Sequence, residues 1–341
     1  MSKIKIGQIG VCHEHAAGKM RSLRLRPDLF EIVGIVDDRS SPSAKFAGSD
    51  LRPYDGLRFM SEEELFQTPG LQAVSVEVPN LDLVPTSWRC LQHGLAIHID
   101  KPGGDDLAAF ERLRRGYAEK KLPFQMGYMF RANPAIQWLQ KAVRQGWLGE
   151  IFEFQASMSH NYGGEEYQEY LGCFQGGIMF NLGCHLIDIV VSLMGRPTHV
   201  TPFLKSAPGD PARIVNNSLA ILEYPHATAT LRACSREVGG LGRRRLKVCG
   251  LKGSVDLCPL ERFDGQALTM ELHLQDGNEE YEAGSHTLDF GIIRDRYEGQ
   301  MVELAQMIRG EIPEPYDYNH DVIVQEVLLA ASGYMPYGKK E

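Results

Sequence analysis

The first third of the chain alternates short apolar runs with helical patterns, and this alternation limits the fold more than any other feature. Ile4 to Gly10, Glu31 to Asp37, Ala73 to Val78, Leu95 to Ile99 and Pro123 to Gly127 read as strands. Ala16 to Arg26 reads as a helix closed by Pro27. Phe59 and Met60 read as the end of a short strand, and Ser61 with Glu62-Glu63-Glu64 as an N-cap and acidic first helical turn. Thr86 to His93 follows as a helix with Gly94 at its C-cap, then Asp106 to Lys120. Near-continuous apolar strands separated by helices indicate a parallel sheet covered on both faces. Ligands of such sheets lie beyond the carboxyl ends of the strands. That rule singles out Gly10 to His15, Asp37 to Arg39, and Pro79-Asn80 together with Asp100-Lys101-Pro102.

Beyond about residue 123 the pattern changes. Helical stretches near 133–146 and 183–195 frame longer β-like runs at 150–159, 213–224, 227–236, 244–249, 254–258 and 268–274. Several alternate as antiparallel strands do. Tyr297 to Arg309 and Asp321 to Ala331 read as amphipathic helices. The expected architecture is α/β: a Rossmann-type dinucleotide-binding domain over 1–122, then an α+β substrate and oligomerisation domain over 123–341 with a large, mainly antiparallel open sheet. The C-terminal helix is free to pack back on the first domain. At 341 residues, 43% hydrophobic and 23% charged, the chain has material for two cores and is not of disordered type.

The formal net charge of −8 disfavours a nucleic-acid or anionic-membrane partner. No apolar run approaches the roughly 18–20 residues of a membrane span, and the N-terminus turns strand-like at once. Seven dispersed cysteines without a Cys-x-x-Cys pair read as reduced thiols, so a cytoplasmic location is expected.

The first strand end has the setting of a dinucleotide fingerprint, G-x-G-x-x-G, but reads Gly10-Val11-Cys12-His13-Glu14-His15. Only the first glycine stands, with Cys12 and His15 at the other two positions. The helix N-terminus can still offer N–H groups to an anion. An ordinary strand-turn-helix fits this segment too, as does contact of His13 and His15 with cofactor or substrate. A metal is not expected, because no further ligand cluster accompanies the His-x-His pair. Asp37, 27 positions after Gly10, can bond both ribose hydroxyls and so favours NAD; the nearby Arg39 could favour NADP instead.

At the later strand ends the chain resembles the Gfo/Idh/MocA family of sugar and cyclitol oxidoreductases. The family has Glu-Lys-Pro where this chain has Asp100-Lys101-Pro102. Gly127 to Ala135 and Trp147-Leu148-Gly149-Glu150-Ile151 resemble its entry into the second domain. Gly176-Gly177-Ile178-Met179-Phe180-Asn181-Leu182-Gly183-Cys184-His185-Leu186-Ile187-Asp188 resembles its G-G-x-x-x-D-x-G-x-H-x-x-D pattern, with Asn181 at the usual acidic position. Arg244 to Asp256 and Tyr297 to Arg309 resemble later elements.

The resemblance implies catalytic roles for Lys101 and His185 and a homodimer or homotetramer associated through the second sheet. Oxidising a secondary alcohol needs a base near neutral pH, for which His185 is the candidate, and a cation or donor beside the developing alkoxide, which Lys101 can supply. Which of them takes the proton stays open. Asn181, i−4 from His185, is expected to orient the substrate or His185 from the same helix face. Pro79, Asn80 and Asp100 are expected beside the cofactor. Tyr128 and Arg131 line the sugar site or pack at the domain junction, Asp188 holds its helix or reaches substrate, and His160 belongs to a substrate loop.

The reaction expected is NAD(P)-dependent hydride transfer at a secondary hydroxyl or ketone of a sugar, glycoside or cyclitol. Transient sugar oxidation by tightly bound NAD, ending in glycosidic cleavage, is the first alternative. A non-enzymatic sugar- or nucleotide-sensing regulator is the second.

Overall fold

A computed structural model describes residues 2–42 and 50–338. Its chain divides into two units, 1–129 with 295–325 and 130–294 with 326–341. This differs from the expected division at 122/123. The short strand after Pro123 pairs into the first sheet, and the helix following Asp295 returns to the first core.

In the first unit the strands are β1 (Ile4–Ile9), β2 (Phe30–Val36), β3 (Ala73–Val76), β4 (Ala96–Ile99) and β5 (Phe124–Met126), all parallel, in the order β2-β1-β3-β4-β5. The helices are α1 (Ala16–Leu25), α2 (Glu62–Phe66), α3 (Leu83–Gln92) and α4 (Leu107–Lys120). Every residue of β3, β4 and β5 is buried, as the continuous apolar runs require. Ser61 caps α2 as read, in a reciprocal capping box with Glu64, while Asp106 lies outside α4 and caps it with its side chain. Phe59 makes only an isolated bridge to Ile35 rather than a strand. Chain order reverses between β1 and β3, so the carboxyl ends of those strands form the switch point where such sheets take ligands.

The helix α8 (Glu298–Ile308) completes this core, packing Met301, Leu304 and Ala305 with Met20, Leu23 and Phe30. The last helix, α9 (Tyr318–Ala331), begins in the first unit, where Asp321 lies 2.9 Å from the buried Arg114 of α4.

The second unit contains β6 (Ile151–Ser159), β7 (His199–Lys205), β8 (Asn217–Glu223), β9 (Thr228–Cys234), β10 (Arg245–Gly250), β11 (Gly253–Leu257), β12 (Thr269–Leu274) and β13 (Gly284–Asp289). They form one sheet in the order β13-β12-β11-β10-β6-β9-β8-β7, antiparallel except for the parallel pair β6 and β9. Its helices are α5 (Pro134–Arg144), α6 (Gly164–Leu171) and α7 (Cys184–Met194). One sheet face is buried, through residues such as Phe154, Ala220, Leu231 and Val248. The alternate positions, such as Leu219 and Ile221, are only half-buried.

Candidate active site

The turn after β1 is shaped by Gly10. Its φ is +100°, and a Cβ there would stand 2.5 Å from the Glu77 carbonyl at the end of β3. No L side chain fits this approach. Gly10→Ala is expected to destabilise the chain by at least about 1–3 kcal/mol, read as a lowered urea midpoint, because the strain falls on two backbones.

The next two positions differ from expectation. The Val11 and Cys12 amides both donate to Asp38 Oδ1, at 2.7 and 3.1 Å. Asp38 therefore occupies the N–H groups of the turn, while Asp37 turns outward and holds Arg39 in a bidentate pair at 2.5–2.9 Å. The Arg39 hydrogen bond holds the Asp37 carboxyl below its usual range. Cys12 is buried. His15, at the N-cap of α1, does not crowd the strand-helix contact; its ring swings to Asp100, with Nδ1 3.1 Å from Oδ2.

A buried polar cluster lies beyond the strand ends. His13 Nε2 is 2.9 Å from Asn80 Oδ1, and its Nδ1 is 3.6 Å from Asp100 Oδ2. The His15 amide donates to His13 Nδ1 at 3.2 Å. Asp100 thus supplies the third member that the His-x-His pair lacked in sequence, and ligand atoms of His13, His15 and Asp100 all lie within 4.8 Å of one another. Lys101, at the end of β4, is completely buried, and its amide donates to Asp100 Oδ1 at 2.6 Å. Burial would raise the Asp100 carboxyl, but the neighbouring His15, His13 and Lys19 hold it well below its usual range. Burial, and after it the Asp100 charge, push the Glu77 carboxyl well above its usual range. Burial pulls His15 down to about 4, leaving its ring neutral near neutral pH.

Behind these groups, Lys19 Nζ donates to His98 Nε2 at 2.7 Å, which leaves His98 Nδ1–H to donate to Gln125 Oε1, also at 2.7 Å. Gln300 accepts from Lys19 and donates to the carbonyls of Met126 and Tyr128. Asp38, Glu77, Lys19 and His98 were not singled out from the sequence. The available signal was a charged or polar residue inside an otherwise apolar strand or buried helix face.

In the second unit a π-helical turn, Met179–Gly183, precedes α7. Asn181 lies in that wider turn and His185 in the first turn of α7, so the expected α-helical i, i+4 spacing does not run through both. The Asn181 amide donates to Tyr167 Oη at 3.1 Å. His185 is buried, with the Phe130 ring edge-on at 5.7 Å. His160 stacks on Tyr162 at 3.6 Å and lies 5.3 Å from Tyr167, so Asn181, Tyr167, His160 and Tyr162 form one connected group. Arg131 and Asp188 are both buried and face each other through three hydrogen bonds of 2.6–3.2 Å. Tyr128 is buried in the first unit.

A parallel sheet with a dinucleotide-type switch point, followed by a large open sheet, defines a two-domain α/β class of Rossmann type. Residues 136–256 match the family model of the GFO/IDH/MocA C-terminal domain. The matched residues lie wholly in the second unit.

Among relatives, the chain is 27% identical over 154 residues to the uncharacterized oxidoreductase YhhX of Escherichia coli, 45% of this chain and 44% of that one. It is 27% identical over 142 residues to the scyllo-inositol 2-dehydrogenase (NADP(+)) IolW of Bacillus subtilis, 41% of this chain and 39% of that one. The chain thus aligns with less than half of either relative. An Agrobacterium radiobacter oxidoreductase, solved with NAD+, L-tartaric acid and magnesium, shares the fold at a TM-score of 0.77 and 16% identity over 98% of each chain.

Proposed function

We propose that this chain is a nicotinamide-dinucleotide-dependent oxidoreductase that interconverts a secondary hydroxyl and a ketone on a sugar, glycoside or cyclitol. The carrying observation is Lys101: a lysine completely buried at the end of β4, in the unit whose switch point suits a dinucleotide. A lysine is seldom kept from water without a chemical task. The polyol dehydrogenase and the NAD+-bound structure among the similar proteins support the same reading.

The residues at the switch point fit the cofactor. Helix α1 starts at His15 without a side-chain cap and without an acid in its first turn, so its N-terminus suits a diphosphate. Gly10, Cys12, His13 and His15 would surround that group, Asp37 and Arg39 the adenosine ribose, and Pro79, Asn80 and Asp100 the nicotinamide half. A nicotinamide held by these residues would supply the hydride acceptor or donor. Lys101 steadies the charge growing on the alcohol oxygen, and His185 or Lys101 takes its proton. Asn181, tied to Tyr167, orients the reactants without adding charge. Tyr128 and Arg131, with His160 and Asp188, belong to the substrate side of this reading. The half-buried face of the second sheet is the surface for assembly into a homodimer or homotetramer.

The test is to denature purified protein, identify any released nucleotide by mass and ultraviolet spectrum, and then assay polyols with added NAD or NADP. Reduction of dinucleotide in step with ketone formation is expected. A chain that neither carries nor binds a dinucleotide would sink the reading. Release of an aglycone from glycosides without added NAD would instead favour transient oxidation. Because Arg39 pairs with Asp37, Arg39→Ala is expected to weaken NADP about tenfold relative to NAD, the worth of one charge-assisted hydrogen bond.

A further inference from the structure

We propose that His13, His15 and Asp100 form a binding site for a divalent transition-metal cation of the zinc class. Two imidazoles and one carboxylate are a donor set that zinc accepts, and three protein ligands leave a position for water or another small ligand. The turn after β1 brings the two rings to the carboxylate at the end of β4, over the end of β3 that lies between those strands.

The distances suit a shared cation. Asp100 Oδ2 is 3.1 Å from His15 Nδ1 and 3.6 Å from His13 Nδ1. Ligand atoms bound tetrahedrally at zinc lengths lie about 3.3 Å apart. His13 Nε2 lies 2.9 Å from Asn80 Oδ1, and its Nδ1 faces the cluster, where a bound cation would take the lone pair in place of the His15 amide. A histidine ligating through Nδ1, with its other nitrogen held by a side-chain oxygen, is the usual outer-shell arrangement of metal sites.

The full-length chain, stripped with chelator and dialysed, is titrated with zinc chloride by calorimetry and checked by elemental analysis. Cobalt(II) is loaded in parallel. The expected result is one zinc per chain, and a cobalt spectrum of a four- or five-coordinate nitrogen and oxygen site without thiolate charge-transfer absorption. His15→Ala should weaken zinc binding by at least about ten- to hundredfold. Replacing the exposed Cys173 and Cys258 by serine should leave it unchanged.

Zinc uptake that survives His15→Ala, uptake that disappears with the cysteines, or no uptake above buffer would each overturn the proposal. Should His15→Ala fail to fold, the cobalt spectrum of the unaltered chain decides alone. None of these readouts depends on dinucleotide turnover, so the site can fail while the oxidoreductase reading stands, and the reverse.

Discussion

Replacing Lys101 by methionine is expected to lower kcat/KM for the polyol reaction by about 10²–10⁴-fold. Methionine keeps most of the buried aliphatic volume and removes the ammonium, so the loss reports charge and proton handling rather than a cavity. The effect should fall mainly on kcat, because a cation beside an oxygen that gains charge only as hydride moves binds the transition state better than the ground state. Dinucleotide affinity and far-ultraviolet circular dichroism serve as controls. Lys101→Arg separates the two roles: substantial recovery indicates fixed charge, whereas persistent loss indicates a proton relay that guanidinium cannot perform. Activity close to that of the unsubstituted chain in Lys101→Met would remove Lys101 from the reaction.

Removing the Asp188 carboxylate should produce the largest stability change. Asp188 and Arg131 are each about 3% exposed and share three hydrogen bonds. In Asp188→Ala the guanidinium stays buried with its main counter-charge gone, which costs about 3–5 kcal/mol. The double variant Arg131→Met with Asp188→Leu should regain most of that loss, since no charge is then stranded. Urea unfolding of the full chain measures both. If Asp188→Ala unfolds like the parent but loses turnover, the carboxylate serves the substrate instead of holding α7.

The elements legible in sequence are those whose surroundings are uniform. β3, β4 and β5 are buried throughout and β1 nearly so, which makes their apolar runs continuous, and α4 spans nearly the stretch read as helical. The elements that were missed lie where burial is one-sided. β7 and β13 are the two edges of the second sheet. An edge strand tolerates Pro202 and needs few apolar residues; in β13 only Leu288 is buried. Helix α6, eight residues rich in Glu, Gln and Tyr, carries too little periodicity to stand out.

Motifs single out Gly10, Asp100, Lys101 and His185 as candidates, and the last three are buried. The connections among the polar groups were not legible. Nothing local in the sequence says that Asp38 rather than Asp37 reaches the turn, or that Asp100 lies against His13 and His15, because those meetings depend on strand order.

The division of the chain also sets an order of events. The unit that begins at the N-terminus is not finished until residues 295–325 have been made. Lys19 meets Gln300 across 281 positions, and Met20 and Leu23 share a core with Met301 and Leu304. A chain emerging from the ribosome therefore carries its first sheet with an apolar flank uncovered while residues 130–294 are synthesised. The second unit, by contrast, has all eight of its strands in hand by residue 289. Closing so long a loop costs little more entropy than closing a shorter one, but it comes late. The part first translated thus waits for residues made near the end of the chain, and the interval between is when this chain has most need of protection from aggregation.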